Sequence, residues 1–241
     1  MPLQDRIALV TGGGRGIGRA IAVALARAGA DVTVGFHERR SEAEAVATEV
    51  RAIGRRACVV GGDVADERTV AWLAGEAREA MGDIDVLVAS AGIAPVVSLD
   101  DLDVATFDRT IAANLRSAFL LAQAVLPAMR RRRFGRLLFP PSTAAQVGGI
   151  VGPHYAASKA GLLLMHGYAS RFAADGVTAN AIAPALIETD MIAAVRGVSP
   201  EMLPVRRFGT AKEVANLAVA MLENGFVTGQ TIQVNGGAYF T

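Results

Sequence analysis

Short aliphatic runs of strand length alternate along this chain with longer stretches of helical period, and no other feature restricts the fold as strongly. The runs fall at 6–10, 31–36, 57–60, 84–89, 136–139, 178–182 and 231–234. They are continuously apolar rather than alternating, the pattern of strands covered on both faces by helices. The intervening spacing predicts helices over 16–28, 41–53, 66–81, 107–131 with a bend at Pro127, 155–174 and 212–222. Gly29 closes the first as a C-terminal residue, and Ser41 with Glu44 three positions on has capping-box spacing. Such a repeat winds right-handed. The expected fold is therefore α/β, a doubly wound, mostly parallel seven-stranded sheet with helices on both faces. No low-complexity linker interrupts the 241 residues, which read as one domain, 1–241. The stretch 187–209, with Pro200, Pro204 and two glycines, is the least regular and has the make-up of a lid.

Composition narrows the function. A formal net charge of +1 gives no reason to expect nucleic acid or an anionic membrane as partner. The one cysteine, Cys58, excludes an intramolecular disulfide and reads as a small core residue of the 57–60 strand, consistent with a reducing compartment. The three histidines form no metal-ligand cluster, so no metal is expected. Residues 1–6 show no signal peptide, and no apolar stretch reaches the roughly 20 residues of a bilayer span. A cytoplasmic location is expected.

The first strand runs into Thr11-Gly12-Gly13-Gly14-Arg15-Gly16-Ile17-Gly18, and a helix begins at once. Backbone N–H groups and the positive dipole end of a helix make a pyrophosphate site there, and glycine lets the phosphate approach the main chain. Thr11, Gly12, Gly14, Arg15, Gly16, Ile17 and Gly18 are thus candidate contacts for a dinucleotide, in the manner of a Rossmann fold. The second strand ends in Gly35-Phe36-His37, with no carboxylate for a ribose 2′-hydroxyl until Glu38. Arg15, His37, Arg39 and Arg40 supply cations for a 2′-phosphate instead, which favours NADP. Arg39 and Arg40 are equally readable as solvated surface.

Tyr155-Ala156-Ala157-Ser158-Lys159 puts a phenol and an ammonium one helical turn apart. A nearby ammonium favours the phenolate, so the phenol can exchange protons with a substrate oxygen. Taken with the glycine loop, this pair resembles the classical short-chain dehydrogenase/reductase family. Ser142 stands 13 residues before Tyr155, Asn114 lies in Asn114-Leu115-Arg116-Ser117, and the likeness spans essentially the whole chain. The resemblance implies that Tyr155 is the acid in reduction, that Lys159 tunes it and binds the nicotinamide ribose, that Ser142 holds the carbonyl oxygen, and that Asn114 supports a proton relay. It further implies cofactor contacts from Asp63 and Val64 at the adenine, from Ser90, Ala91 and Gly92 after strand four, and from Pro184, Ile187 and Thr189 near the nicotinamide. His154 is expected at the rim of the site, and His166 and Tyr168 as packing residues.

Three positions depart from the family pattern. Ala89-Ser90 replaces two asparagines, Ala185 replaces a glycine, and Pro140-Pro141 precedes Ser142. Within the family the chain is most similar to the 3-oxoacyl-[acyl-carrier-protein] reductases, which implies NADPH-dependent reduction of a 3-oxoacyl thioester and a homotetramer built by the long helices and last strand. Another ketone, alcohol, sugar or acyl-CoA substrate remains open, as does a non-catalytic sensor. Arg130-Arg131-Arg132-Arg133 and Arg136 form a basic run read as lying beside the cleft, and Arg133 matches a carrier-contact arginine; a solvated helix end is the alternative.

Overall fold

Seven strands, β1 Ile7–Thr11, β2 Asp31–Phe36, β3 Ala57–Gly61, β4 Val86–Ala89, β5 Gly135–Phe139, β6 Val177–Pro184 and β7 Thr231–Val234, form one sheet in the order β3-β2-β1-β4-β5-β6-β7. The computed structural model describes residues 2–193, 195 and 197–240; the side chains of residues 168–170, Tyr168 among them, lie outside the description. Every strand pairing is parallel, so the mostly parallel sheet expected from the aliphatic runs is parallel throughout. The order reverses between β1 and β4. That switch point opens a crevice at the carboxyl ends of these strands, where Thr11 faces Ala89 in register.

Helices α1 Gly16–Arg27, α2 Arg40–Ala52 and α3 Glu67–Met81 follow the first three strands. The core divides into two layers. One packs α1 and β1–β2 residues such as Ile21, Leu25 and Val34 with Val214 and Ala218; the other gathers Leu73, Leu121, Met129 and Leu162 over the opposite face of the sheet. Asp66 caps α3 by accepting from Arg68 N. No such cap exists at Ser41: α2 begins one residue earlier, with Arg39 at the N-cap and no side-chain bond, so the capping box expected there is absent. Cys58 is only half-buried, because β3 is an edge strand.

The helix expected over 107–131 is longer and broken. Asp103 caps α4 Val104–Ile111, five residues Ala112–Arg116 follow with the wider π-helical hydrogen bonding, and α5 Ser117–Arg132 completes it. The departure thus falls at 112–116 rather than at Pro127, which lies inside α5. This composite of 29 residues is long and apolar enough to cross a membrane by length and composition, against the expectation from the sequence, but Ala118, Leu121, Val125 and Met129 pack into the core. The helix expected over 155–174 is likewise divided. A four-residue α6, Ala144–Val147, precedes α7 Pro153–Met165, a 3₁₀ turn His166–Tyr168, α8 Ala169–Phe172 and a second 3₁₀ turn Ala173–Asp175. His166 makes a 2.7 Å hydrogen bond with Thr231 at the start of β7. The stretch 187–209, expected to be the least regular and of which residues 194 and 196 lie outside the description, holds a short α9 Asp190–Ala193 and a 3₁₀ turn Pro200–Met202. Thr210 and Glu213 form a complete capping box at α10 Ala211–Glu223.

Candidate active site

A cleft of about 620 Å³ opens at the switch point. One end is walled by the glycine loop. Gly12 and Gly16 have φ of +63° and +53°, and a β-carbon on Gly12 would stand 2.9 Å from the Ala91 Cα, so the loop is pressed against the segment after β4. The Thr11 hydroxyl accepts from Ala91 N at 3.2 Å, fixing this approach from the other side. The start of α1 carries no side-chain cap and no acidic residue in its first turn, whereas α3 and α10 are capped. Its free N–H groups therefore face the cleft, as an anion requires.

Thr11, Gly12, Gly14, Arg15, Gly16, Ile17, Gly18, His37, Arg39, Asp63, Val64, Ser90, Ala91, Gly92, Pro184, Ile187 and Thr189, all expected near a dinucleotide, line this cleft, whereas Arg40, also offered as a cation for a 2′-phosphate, does not: it is exposed and pairs with Glu44 on α2. Arg109 joins them from α4 and pairs with Asp63 at 2.7 Å. Burial raises the Asp63 pKa, but the Arg109 hydrogen bond and the Ala65 N–H outweigh it and hold the carboxyl below its ordinary value. Arg15 and Arg39 flank the same end, where both approach Asp190. The glycine loop, uncapped helix and cations fit a phosphorylated dinucleotide.

At the other end stand Ser142, Tyr155 and Lys159. Ser142 follows β5 on the Pro140-Pro141 turn, and Tyr155 and Lys159 project from the first two turns of α7. Tyr155 and Lys159 are 8% and 7% exposed, so both are largely removed from water. Burial raises the Tyr155 pKa, opposed by a hydrogen bond from Ser142. Burial lowers Lys159 to about 8. Its Nζ lies 5.6 Å from the centre of the Tyr155 ring and donates to the Pro140 carbonyl at 3.2 Å. The departure at Pro140 thus has a part in the site: its carbonyl anchors the ammonium. Ala185, at the position of the missing glycine, also lines the cleft while its N–H is bonded to Val234 O.

Asn114 is buried behind this wall rather than on it. From the π-helical segment its carboxamide accepts from Ile93 N at 2.8 Å and donates to Ile93 O and to the Ser158 hydroxyl, each at 3.0 Å. Ser158 in turn donates to Tyr155 O at 2.7 Å. His154 corrects a further expectation. It is wholly buried, with Nε2 2.9 Å from the Pro95 carbonyl, and so packs under the site instead of at its rim.

These elements in this order match the family model described as short chain dehydrogenase over residues 6–198. The chain belongs to the short-chain dehydrogenase family. Among its relatives, the 3-oxoacyl-[acyl-carrier-protein] reductase FabG of Staphylococcus epidermidis is 37% identical over 98% of this chain and 100% of its own length. The Escherichia coli protein of the same name is 37% identical over 99% of both. A short-chain dehydrogenase from Burkholderia cenocepacia, solved in complex with NADP, superposes with a TM-score of 0.91 at 34% identity over 99% of both chains. A 3-oxoacyl (acyl-carrier-protein) reductase from Agrobacterium tumefaciens with NADP bound does so at 0.90 and 33%, over 98% of this chain and 95% of its own.

The arginine run lies elsewhere than expected for this dehydrogenase. It runs from the end of α5 into the start of β5, at the amino edge of the sheet, whereas Ser142 follows the carboxyl end of β5, a five-residue strand spanning about 13 Å. Arg130 pairs with Asp175, Arg132 with Asp83 and Asp85, and Arg133 donates to the Ala174 carbonyl. Arg136 donates to Gly135, Gly176 and Leu222 carbonyls. Within one chain the run fastens the base of the sheet and does not flank the cleft. Arg109, Ser158 and Asp190 are the site residues that sequence reasoning passed over; each meets its partner across a long stretch of chain, with no local signature.

Proposed function

We propose that this chain is a cytoplasmic NADPH-dependent reductase of 3-oxoacyl thioesters, one catalytic domain assembled as a homotetramer. The observation that carries the reading is the convergence of Ser142, Tyr155 and Lys159 on the cleft that the glycine loop closes at its other end. Bound NADPH supplies a hydride to a carbonyl carbon. Ser142 and Tyr155 hold the carbonyl oxygen with two hydrogen bonds that strengthen as negative charge grows on it. Tyr155 then gives that oxygen its proton, and the Lys159 ammonium lowers the cost of the phenolate left behind. Asn114 keeps Tyr155 and Lys159 in register with the segment after β4 through Ser158 and Ile93, and in this reading it supports a proton relay through water. Asp63, Val64 and His37 receive the adenosine, and Ile187 and Thr189 the nicotinamide amide. The substrate side is walled by Val147, Ile150, Met191, Ile192 and Leu203, which suits an acyl chain and offers little to a sugar.

A second substrate reading has one observation in its favour. Arg133 is bonded within the chain and far from Ser142, which favours a thioester or ketone presented without a carrier protein. The deciding experiment follows NADPH oxidation with acetoacetyl carrier protein, acetoacetyl-CoA, a free diketone and a sugar. The proposal expects the thioesters to be preferred. Comparable turnover of the diketone alone would overturn it, and an unchanged carrier-protein KM in Arg133→Glu would remove the docking role.

A further inference from the structure

Asp190 opens α9 where the 187–209 segment crosses the glycine loop. A single oxygen, Oδ2, stands 3.3 Å from Arg15 Nη1 and 3.7 Å from Arg39 Nη1. The residue before Asp190 lies against the loop: Thr189 packs its Cγ2 where a β-carbon on Gly16 would come within 3.3 Å. Arg39 also pairs with Glu42 at 2.8 Å. The two guanidiniums nearest the expected ribose 2′ position therefore already have an anion between them, supplied by the chain itself.

We infer that Asp190 is an internal occupant of the 2′-phosphate site: its carboxylate competes with the phosphate for Arg15 and Arg39 and thereby sets the preference for phosphorylated over unphosphorylated cofactor. The inference rests on the reading of these arginines as the NADP-selecting cations. The three side chains are 52%, 54% and 67% exposed for Arg15, Arg39 and Asp190, so the ion pairs are weak and readily exchanged. A phosphate with up to two charges and three acceptor oxygens displaces one carboxylate oxygen, yet pays for the displacement in affinity. An unphosphorylated ribose has no such contest.

The test uses direct binding rather than turnover. Calorimetry with 2′,5′-ADP and with ADP is run on the wild type, Asp190→Asn, Asp190→Glu and Arg15→Gln. Asp190→Asn should tighten 2′,5′-ADP about three- to tenfold and leave ADP unchanged, while Asp190→Glu, which keeps the charge, should follow the wild type. A preference for 2′,5′-ADP that appears only in Asp190→Asn is an equal success. An equal change for both ligands, or none, overturns the inference. If Arg15→Gln weakens 2′,5′-ADP while Asp190→Asn does not tighten it, only the role of Asp190 falls. If Arg15→Gln leaves 2′,5′-ADP binding unchanged, the NADP-selecting role of the arginine falls and the inference with it.

Discussion

Lys159 holds its charge in a place where water cannot help it, and burial brings its pKa to about 8. Reduction needs the phenol protonated and the ammonium charged, so kcat for reduction should fall as pH rises through about 8. Lys159→Met should lose that limb along with most of its activity, and a pH–rate profile reads both. The same group should mark stability. Its folded pKa lies below the unfolded value of 10.5, so between about 8 and 10.5 the unfolded chain binds more protons and folding gains as pH rises. The urea midpoint of the wild type should therefore rise relative to Lys159→Met across that window. Tyr155→Phe removes only the proposed proton donor: kcat should drop by about 10² to 10⁴ while the Kd for NADPH stays put. A variant that kept its turnover would show the phenol to be a bystander.

At the scale of elements, the π-helical segment Ala112–Arg116 is what aims Asn114 at Ile93 and Ser158. Asn114→Ala should lower kcat more than it raises KM for the cofactor, since glycine-loop contacts survive. Thr210→Ala breaks a full capping box and should cost about 1 kcal/mol in denaturant unfolding. Asp31, at the start of β2, is buried, which raises its pKa, but Arg56 and Arg55 outweigh this and hold it below the ordinary 3.8. That contribution is present above pH 4 and lost as pH falls through the lowered value, so Asp31→Asn should narrow the gap in stability between pH 7 and pH 3. What could be read in advance follows from the range of the forces. The strands and glycine loop were legible because aliphatic runs and φ-permissive residues leave local marks. The break at 112–116 was not, because Asn114 answers to Ile93, 21 residues away. The 3₁₀ turns after Met165 were hidden for a similar reason: His166 turns toward Thr231, 65 positions on. His154 lies under the site and not at its rim because its ring meets a carbonyl 59 residues earlier, a contact with no local signature.

For the molecule as a whole, apolar side chains left in solvent suggest where copies meet. Phe119 on α5 is 48% exposed and Leu164 on α7 is 77% exposed. Sedimentation should give about four times the 25.0 kDa chain mass, and Leu164→Asp should shift it to a smaller species. A monomer in the wild type would remove the tetramer from the proposal. The two edges of the sheet divide the labour. The residues proposed to meet cofactor and substrate gather at the carboxyl edge, while Arg130, Arg132, Arg133 and Arg136 tie carbonyls and carboxylates together at the amino edge. For anyone shaping this scaffold into a hardier catalyst, that separation marks out the workshop. Cross-links, repacked loops or fused tags at the arginine edge that leave these ties in place act a full strand length away from the residues proposed to meet substrate.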